Sequence, residues 1–228
     1  CNAFEKANLP VTWDCNGRLN YCTPELLAHM KRAGCVFINY GIEAMDDNVL
    51  KLMKKGLRTE QVVNGVEWTL EAGISPGLNM LFGNLGDTKE TLQKAVDFLI
   101  EYDDQAQRRT IRPVTPYPGS PLYYMAIERG LLEGPADFYE KKHLNSDLLC
   151  CNFTELSDEE VYAALEDANK QLAVNFFDSN RDNALSQIEY LYREKDTTFR
   201  GFRQGMKSQG KSAPATGASF GAAASDSM

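Results

Sequence analysis

No two cysteines in this chain stand at C-x-x-C spacing, and it has only two histidines, His29 and His143. A zinc knuckle or a thioredoxin-type pair therefore has no ligand set to build on. The six cysteines (Cys1, Cys15, Cys22, Cys35, Cys150 and Cys151) are scattered through 228 residues. A chain of that size buries a core without staples, so the spacing argues against a secreted disulfide scaffold. Basic residues are also in short supply, with 24 Lys and Arg against 32 Asp and Glu and a net charge of -8. No positive stripe is available to track a phosphate backbone, which argues against nucleic acid as the main partner. No apolar run reaches the length of a membrane-spanning helix, and the opening CNAFEKANLP lacks the charged-then-apolar pattern of a signal peptide. The reading is a cytoplasmic chain with one main core and an appendage.

What the chain does contain is an alternation of strand-like and helix-like segments. VTWDC (11–15) is β-branched and aromatic, and Thr23 followed by Pro24 opens the helix TPELLAHMKRAG with a capping hydroxyl and a proline at the first helical position. CVFINYGI (35–42) is a nearly continuous apolar run, the pattern of a strand buried on both faces. A helix from about Asp46 to Lys55 follows, acidic at its start and basic at its end. Thr59 is placed as the cap of EQVVNGVEWTLEAG, SPGLNMLFG (75–83) as the next strand, and Asp87 with Glu90 as a capping box before TLQKAVDFLIEY. TIRPV (110–114) is the fourth strand candidate, and PYPGSPLYYMAIERGLL turns from it into a helix. This order predicts parallel β/α units with right-handed crossovers.

From Ser157 the pattern is helical, opened by a capping box in SDEE and continued through SQIEYLYREK. The stretch from about Lys207 is rich in Gly, Ala and Ser and is expected to be disordered. The expected organisation is 1–135 as the barrel part, 136–205 as a helical extension and 206–228 as a low-complexity tail. The chain begins with Cys inside what reads as the end of a helix, FEKANLP, and is expected to be the later part of a longer protein.

Parallel β/α folds bind ligands at the carboxyl ends of their strands. The residues at those ends are Asn16, Gly17 and Arg18, then Gly41 and Glu43, then Asn79, Gly83 and Asn84, then Thr115, Pro116 and Gly119. On residue type alone, Arg18 and Glu43 suit a structural ion pair across the mouth. Asn79, inside an apparently buried strand, must bond either to backbone or to a ligand. The glycines of LFGNLGDT fit neither G-x-G-x-x-G nor the Walker spacing. Cys150 and Cys151 read as small buried hydrophobes, and the aromatics beyond residue 116 (Tyr117, Tyr123, Tyr124, Phe138, Tyr139) as core.

Three stretches taken together resemble the second half of a radical S-adenosyl-L-methionine (SAM) core. They are VTWDCNGRLNYCTPELLAHMKRAGCVFINYGIEAMDDNVLKLMKKGLRTEQ, EAGISPGLNMLFGNLGDTKETL and PYPGSPLYYMAIERGLL. Within the superfamily the resemblance points to the branch with an upstream cobalamin-binding domain. It implies an α/β fold: a partial (β/α) barrel of parallel strands with a helical C-terminal extension. It also implies SAM bound at the mouth on a 4Fe-4S cluster, reductive cleavage to a 5′-deoxyadenosyl radical, and cobalamin where a methyl group is passed on. Carried over by position, Glu43 in GIEA helps hold SAM, and Lys55 faces its carboxylate as a point charge. Asn79 lies near the ribose, Leu81, Phe82 and Gly83 pack against the adenine, and Arg18 faces the same mouth.

The family's C-x-x-x-C-x-x-C loop is absent from this sequence, as is the glycine-rich stretch that grips the amino group of SAM. The resemblance therefore implies cluster ligands upstream of this chain and no metal ligand within it. It also implies a small-molecule substrate and a missing N-terminal half, or a separate chain supplying that half. The alternative function is a non-catalytic half-barrel that binds or assembles with another chain along its open edge.

Overall fold

The computed structural model describes residues 1–195 and 197. Four strands form one parallel sheet in the order β1 (Trp13–Gly17), β2 (Cys35–Glu43), β3 (Ser75–Phe82) and β4 (Ile111–Pro113). Helices α1 (Asn2–Ala7) and α2 (Pro24–Arg32) flank β1; α3 (Asp47–Leu52) and α4 (Thr59–Glu71) join β2 to β3. Helix α5 (Lys89–Tyr102) joins β3 to β4, and α6 (Pro121–Glu128), α7 (Pro135–Asp137) and α8 (Asp158–Glu194) follow. Sequential parallel neighbours with helical crossovers are the parallel β/α units the sequence pattern predicts, in the α/β partial-barrel arrangement the resemblance implies, and the helical C-terminal segment is present. The 206–228 tail lies outside the described residues.

Local chemistry accounts for most element starts. Thr23 Oγ1 accepts a hydrogen bond from the Leu26 amide (3.2 Å) with Pro24 in the first turn, and Ser157 and Glu160 form the expected reciprocal box. Two caps differ from expectation. Arg58 rather than Thr59 is the residue before α4, its amide donating to Gln61 Oε1 (3.0 Å). Thr88 and Thr91 cap α5 in place of Asp87 and Glu90. Asp87 is already engaged by backbone amides on the other side of the turn, as described below.

One face of the sheet is covered and the other is open. Ile38, Tyr40, Ile42, Leu78, Met80, Phe82 and Ile111 pack beneath the helices in the main core, each 2 % exposed or less. At about 25 cal/mol per Å² of apolar surface, such side chains supply most of the drive for docking α2, α4 and α5. The reverse face carries Asp14, Asn16, Phe37, Asn39, Glu43 and Asn79. Strand β2 is therefore buried on alternate residues, not on both faces as its apolar run suggests. A second cluster of Val114, Tyr123, Phe138, Cys150, Cys151 and Phe153 folds beside β4 and packs Leu81 of the open face.

The first half of α8 closes the β4 edge. Val161, Leu165, Ala168 and Leu172 bury one stripe of the helix. On β4, Asn169 Oδ1 accepts from the Ile111 amide (2.9 Å) while its Nδ2 donates to the Ile111 carbonyl (2.9 Å). A single carboxamide thus pairs both backbone groups of an edge residue, as another strand would.

Candidate functional site

The carboxyl ends of β1 and β2 bring together three of the residues singled out by sequence. Lys55 Nζ donates to Glu43 Oε1 at 2.9 Å, with the two side chains 25 % and 19 % exposed. Arg18 does not pair with Glu43, contrary to the ion pair that residue type alone suggests. Its guanidinium donates to the Lys55 carbonyl (2.9 Å) and lies over the Tyr21 ring at 5.6 Å. The cation nearest in space to Glu43 comes from the loop between α3 and α4, and that loop is itself pinned by Arg18. One arginine, one lysine and one carboxylate therefore form a single linked rim.

Backbone geometry aims this rim. The pairing of β2 with β3 slips between Gly41 and Glu43, and Glu43 adopts φ 78, a left-handed conformation uncommon outside glycine. A β-carbon at Gly41 would sit 2.7 Å from Glu43 Oε1 and 3.4 Å from Lys55 Nζ. Glycine leaves room there for the Glu43–Lys55 pair to fold back against the strand, and a larger residue would push the ends of both side chains outward.

Asn79 is exposed on the open face rather than buried, because β3 turns that side away from the helices. Its Nδ2 donates to Asn39 Oδ1 (2.7 Å) and to the Tyr40 carbonyl (3.2 Å), and Asn39 Nδ2 donates to Asn16 Oδ1 (3.1 Å). The result is a ladder of three carboxamides across β1, β2 and β3. It runs from the rim toward an open cleft of about 650 Å³ lined by Asp14, Asn16, Phe37, Asn39, Ser75 and Gln107. Sequence reasoning missed Asn39. The available signal was a single amide in the middle of the apolar run CVFINYGI.

Leu81 is half-buried against the second cluster, while Phe82 points the opposite way into the main core at 1 % exposure. Gly83 follows at φ 99, and its amide and that of Asn84 both donate to Asp87 Oδ2 (3.0 and 2.8 Å). Thr91 Oγ1 donates to Asp87 Oδ1 (3.0 Å). Burial pushes the Asp87 carboxyl up to about 6, against the pull of these hydrogen bonds. Sequence reading took Asp87 for a helix cap and did not count it among the site residues.

The cysteines do not form a metal site. All six are free thiols, and among the described residues no three His, Cys, Asp or Glu side chains converge to hold a metal ion. Burial raises the thiol pKa of Cys15, Cys22 and Cys35, the last to about 11, which opposes the thiolate an iron–sulfur cluster needs. A 4Fe-4S cluster therefore does not fit this chain's own residues. His29 meets Glu5 Oε2 at 3.0 Å, and His143 stacks on Phe138. Among the described residues no helix is long and apolar enough to cross a membrane.

A parallel half-barrel with charged side chains gathered at its strand ends is the α/β arrangement that the sequence resemblance implies. The Radical SAM superfamily model matches residues 2–99, the segment holding β1 to β3 and the rim, and the family resemblance is shown on that segment. An uncharacterized methyltransferase of Pyrococcus horikoshii is 27 % identical over 129 residues, covering 57 % of this chain and 28 % of that protein. Bacteriochlorophyllide d C-12(1)-methyltransferase of Chlorobaculum tepidum is 28 % identical over 165 residues, covering 68 % and 35 %. In fold, the chain is similar to the radical S-adenosylmethionine methyltransferase TsrM of Kitasatospora setae, solved with cobalamin and a 4Fe-4S cluster. The TM-score is 0.56 at 18 % identity, over 75 % of this chain and 39 % of that one. The chain spans about a third of the length of the curated relatives it matches.

Proposed function

We propose that this chain is the C-terminal portion of a radical SAM enzyme, supplying SAM and substrate contacts while the cluster ligands come from outside it. The observation that carries this reading is the linked Arg18, Lys55 and Glu43 rim at the ends of two adjacent parallel strands, inside the matched segment. In this reading Lys55 faces the SAM carboxylate and Glu43 helps hold SAM beside it. Asn79 lies near the ribose, and Leu81 and Gly83 present the adenine surface, whereas Phe82, 1 % exposed in the main core, supports that strand end from behind instead of facing the adenine as the resemblance implies. Residues 1–135 form the barrel part, and the helical extension that follows covers its β4 edge with the first half of α8.

With SAM bound on a cluster held outside this chain, the site would have 5′-deoxyadenosyl radical chemistry available to it. This chain's residues hold and orient SAM, and the open ladder face receives a small-molecule substrate in the cytoplasm. The similar methyltransferases make methyl transfer assisted by cobalamin, held by a missing N-terminal domain, the first reaction to test, with a cyclase as the next. Alone, the chain is inactive.

The test uses S-adenosylhomocysteine, which needs no cluster to be assayed. The chain should bind it, and Lys55→Met and Glu43→Gln should each weaken binding about tenfold, corresponding to one lost charge-assisted bond. Unchanged affinity in both variants would remove the rim from the site. Anaerobic reconstitution with iron and sulfide should give no 4Fe-4S absorbance, and a stable cluster that cleaves SAM would overturn the assignment of its ligands elsewhere.

A second reading is favoured by one observation, the sheet's open β1 edge, where β1 pairs only with β2 among the described residues. In it the half-barrel is a non-catalytic module that docks another chain there. Retention of S-adenosylhomocysteine binding by the rim separates the two.

A further inference from the structure

Packing divides helix α8 in two. Val161, Leu165, Ala168 and Leu172 are its buried residues, and from 173 to 194, about 33 Å of helix at 1.5 Å per residue, no side chain is buried among the described residues. That second half is nonetheless not a polar helix. Val174, Phe177, Leu185, Ile188 and Tyr192 are each between 39 % and 71 % exposed. At about 100° per residue they fall within about 80° of one another, on the side of the helix nearly opposite the buried stripe. The face that packs on α5 and β4 is satisfied, and the face turned away from them is apolar and exposed.

One charged residue interrupts the stripe. Arg181 lies at its centre, and its guanidinium is drawn off to the flank, where Nη1 meets Asp178 Oδ1 (2.8 Å) and Nη2 meets Asp182 Oδ1 (3.0 Å). The charge is matched within the helix, so the aliphatic stem joins the stripe and can be covered without stranding an unpaired cation. Glu189 on the same flank likewise has Arg193 at 3.9 Å, so two such helices meet with little uncompensated charge. The order of side chains then suits a copy of itself. With two of these segments antiparallel about a two-fold axis near residue 183, Val174 of one faces Tyr192 of the other, Phe177 faces Ile188, and Arg181 faces Leu185. Each aromatic ring meets a smaller aliphatic side chain, the alternation of large and small that lets facing layers interdigitate. A parallel pair would set Arg181 directly against Arg181. From their exposures the five apolar side chains offer on the order of 500 Å² per chain, about half of it from the two rings. Two copies would bury about 1,000 Å², the lower bound for a specific interface. A polypeptide that continues the sheet adds at β1, the end opposite the β4 edge that α8 covers, so the stripe needs an occupant of its own.

We propose that the second half of α8 pairs antiparallel with the same segment of a second copy of this chain, making a two-fold dimer centred near residue 183. The interface is isologous, each patch meeting itself, and it stands whatever the strand ends bind. Its modest area sets a dissociation constant on the order of micromolar. It also accounts for the helix persisting through residues 181–186, all of them exposed, where a lone segment has no tertiary packing to hold it.

Sedimentation equilibrium of the full chain, from about 1 to about 200 μM, tests this. The 25.5 kDa monomer should give way to a species of twice that mass as concentration rises. Phe177→Ser and Leu185→Ser, both at exposed positions, should each weaken association at least about tenfold. At low concentration, where the chain is monomeric, both variants should keep the urea midpoint of the unmutated chain. Amides of 181–186 should exchange more slowly above the dissociation constant than below it. Register is read with a small-molecule disulfide as oxidant: Val174→Cys combined with Tyr192→Cys should give a covalent dimer beyond that of the unmutated chain, and neither single variant should. A covalent dimer from a single variant, or none from the double one, overturns the antiparallel arrangement. A chain that stays monomeric throughout overturns the proposal and leaves the stripe to a different protein. A dimer indifferent to both serine substitutions overturns it too, and moves the contact elsewhere, with the β1 edge the first place to look.

Discussion

Arg109→Met should remove about 3–5 kcal/mol of folding stability at pH 7, the cost of leaving buried carboxylates without their cation. Arg109 Nε lies 2.6 Å from Asp103 Oδ1, and the same guanidinium donates to the Pro76 carbonyl (2.8 Å) and reaches Asp104 Oδ1 at 3.6 Å. The side chains are 11 %, 2 % and 6 % exposed for Arg109, Asp103 and Asp104, so water does not replace the lost partner. Methionine fills the aliphatic volume and deletes the charge, which separates packing from electrostatics. Burial already pushes the Asp103 carboxyl up while Arg109 pulls it down. With Arg109 gone the upward push is opposed only by the Gln105 amide, which donates to Asp103 Oδ2 (3.0 Å), and the loss should shrink as pH falls and Asp103 takes a proton. Urea unfolding at pH 7 and pH 5 measures both effects. A loss under about 1 kcal/mol, in the range of surface pairs, would mean the loop is solvated in a way its burial denies.

The second large effect concerns Asp87 and has the opposite pH sense from an ordinary stabilising carboxylate. Its folded-state value is raised from 3.8 to about 6. Between those values the folded chain holds a proton that the unfolded chain has released. Stability from this group is therefore greatest below pH 4, falls as pH rises to about 6, and is absent above it. Two pH units correspond to about 3 kcal/mol at 1.36 kcal/mol per unit. Asp87→Asn cannot titrate, so the difference in unfolding free energy between variant and unmutated chain should change by roughly that amount from pH 4 to pH 7. Using the difference cancels the carboxylates with lowered pKa values, such as Asp46, which lose stability on acidification. Parallel pH profiles for the two proteins would show that Asp87 is not buried as a carboxylate.

Much of the fold is legible in the sequence because it is written in local chemistry. Thr23 with Pro24 and Ser157 with Glu160 set helix starts through atoms three residues apart, and the alternation of apolar runs with capped helices specifies parallel units. The residues at strand ends were also visible, since polar side chains and glycines interrupt apolar runs there. Harder to read was which face of the sheet is covered. The run CVFINYGI is apolar on both sides of β2, yet Phe37 and Asn39 share the open face, and Asn79 follows them out of the core. Pairing across long separations was equally hidden. Arg18 reaches a backbone carbonyl 37 residues away, a partner with no side-chain signature. Asp87 was misjudged for a similar reason: one of its oxygens accepts backward along the chain from the Gly83 and Asn84 amides, where a capping pattern looks only forward.

The clamp of Asn169 on Ile111 gives the sheet a direction of growth. With both polar groups of that β4 residue occupied by one carboxamide, and the first half of α8 lying over them, an added strand finds no vacancy at that position. Strand β1, whose hydrogen bonds run only toward β2 among the described residues, is the end where registry with another strand remains available. Any polypeptide that completes the barrel must therefore begin its pairing at Trp13–Gly17 and proceed away from α8. Loss of the Asn169 carboxamide would free the Ile111 amide and carbonyl, yet the buried stripe of α8 would still lie over that edge, so the order of assembly rests on the helix as well as on the clamp.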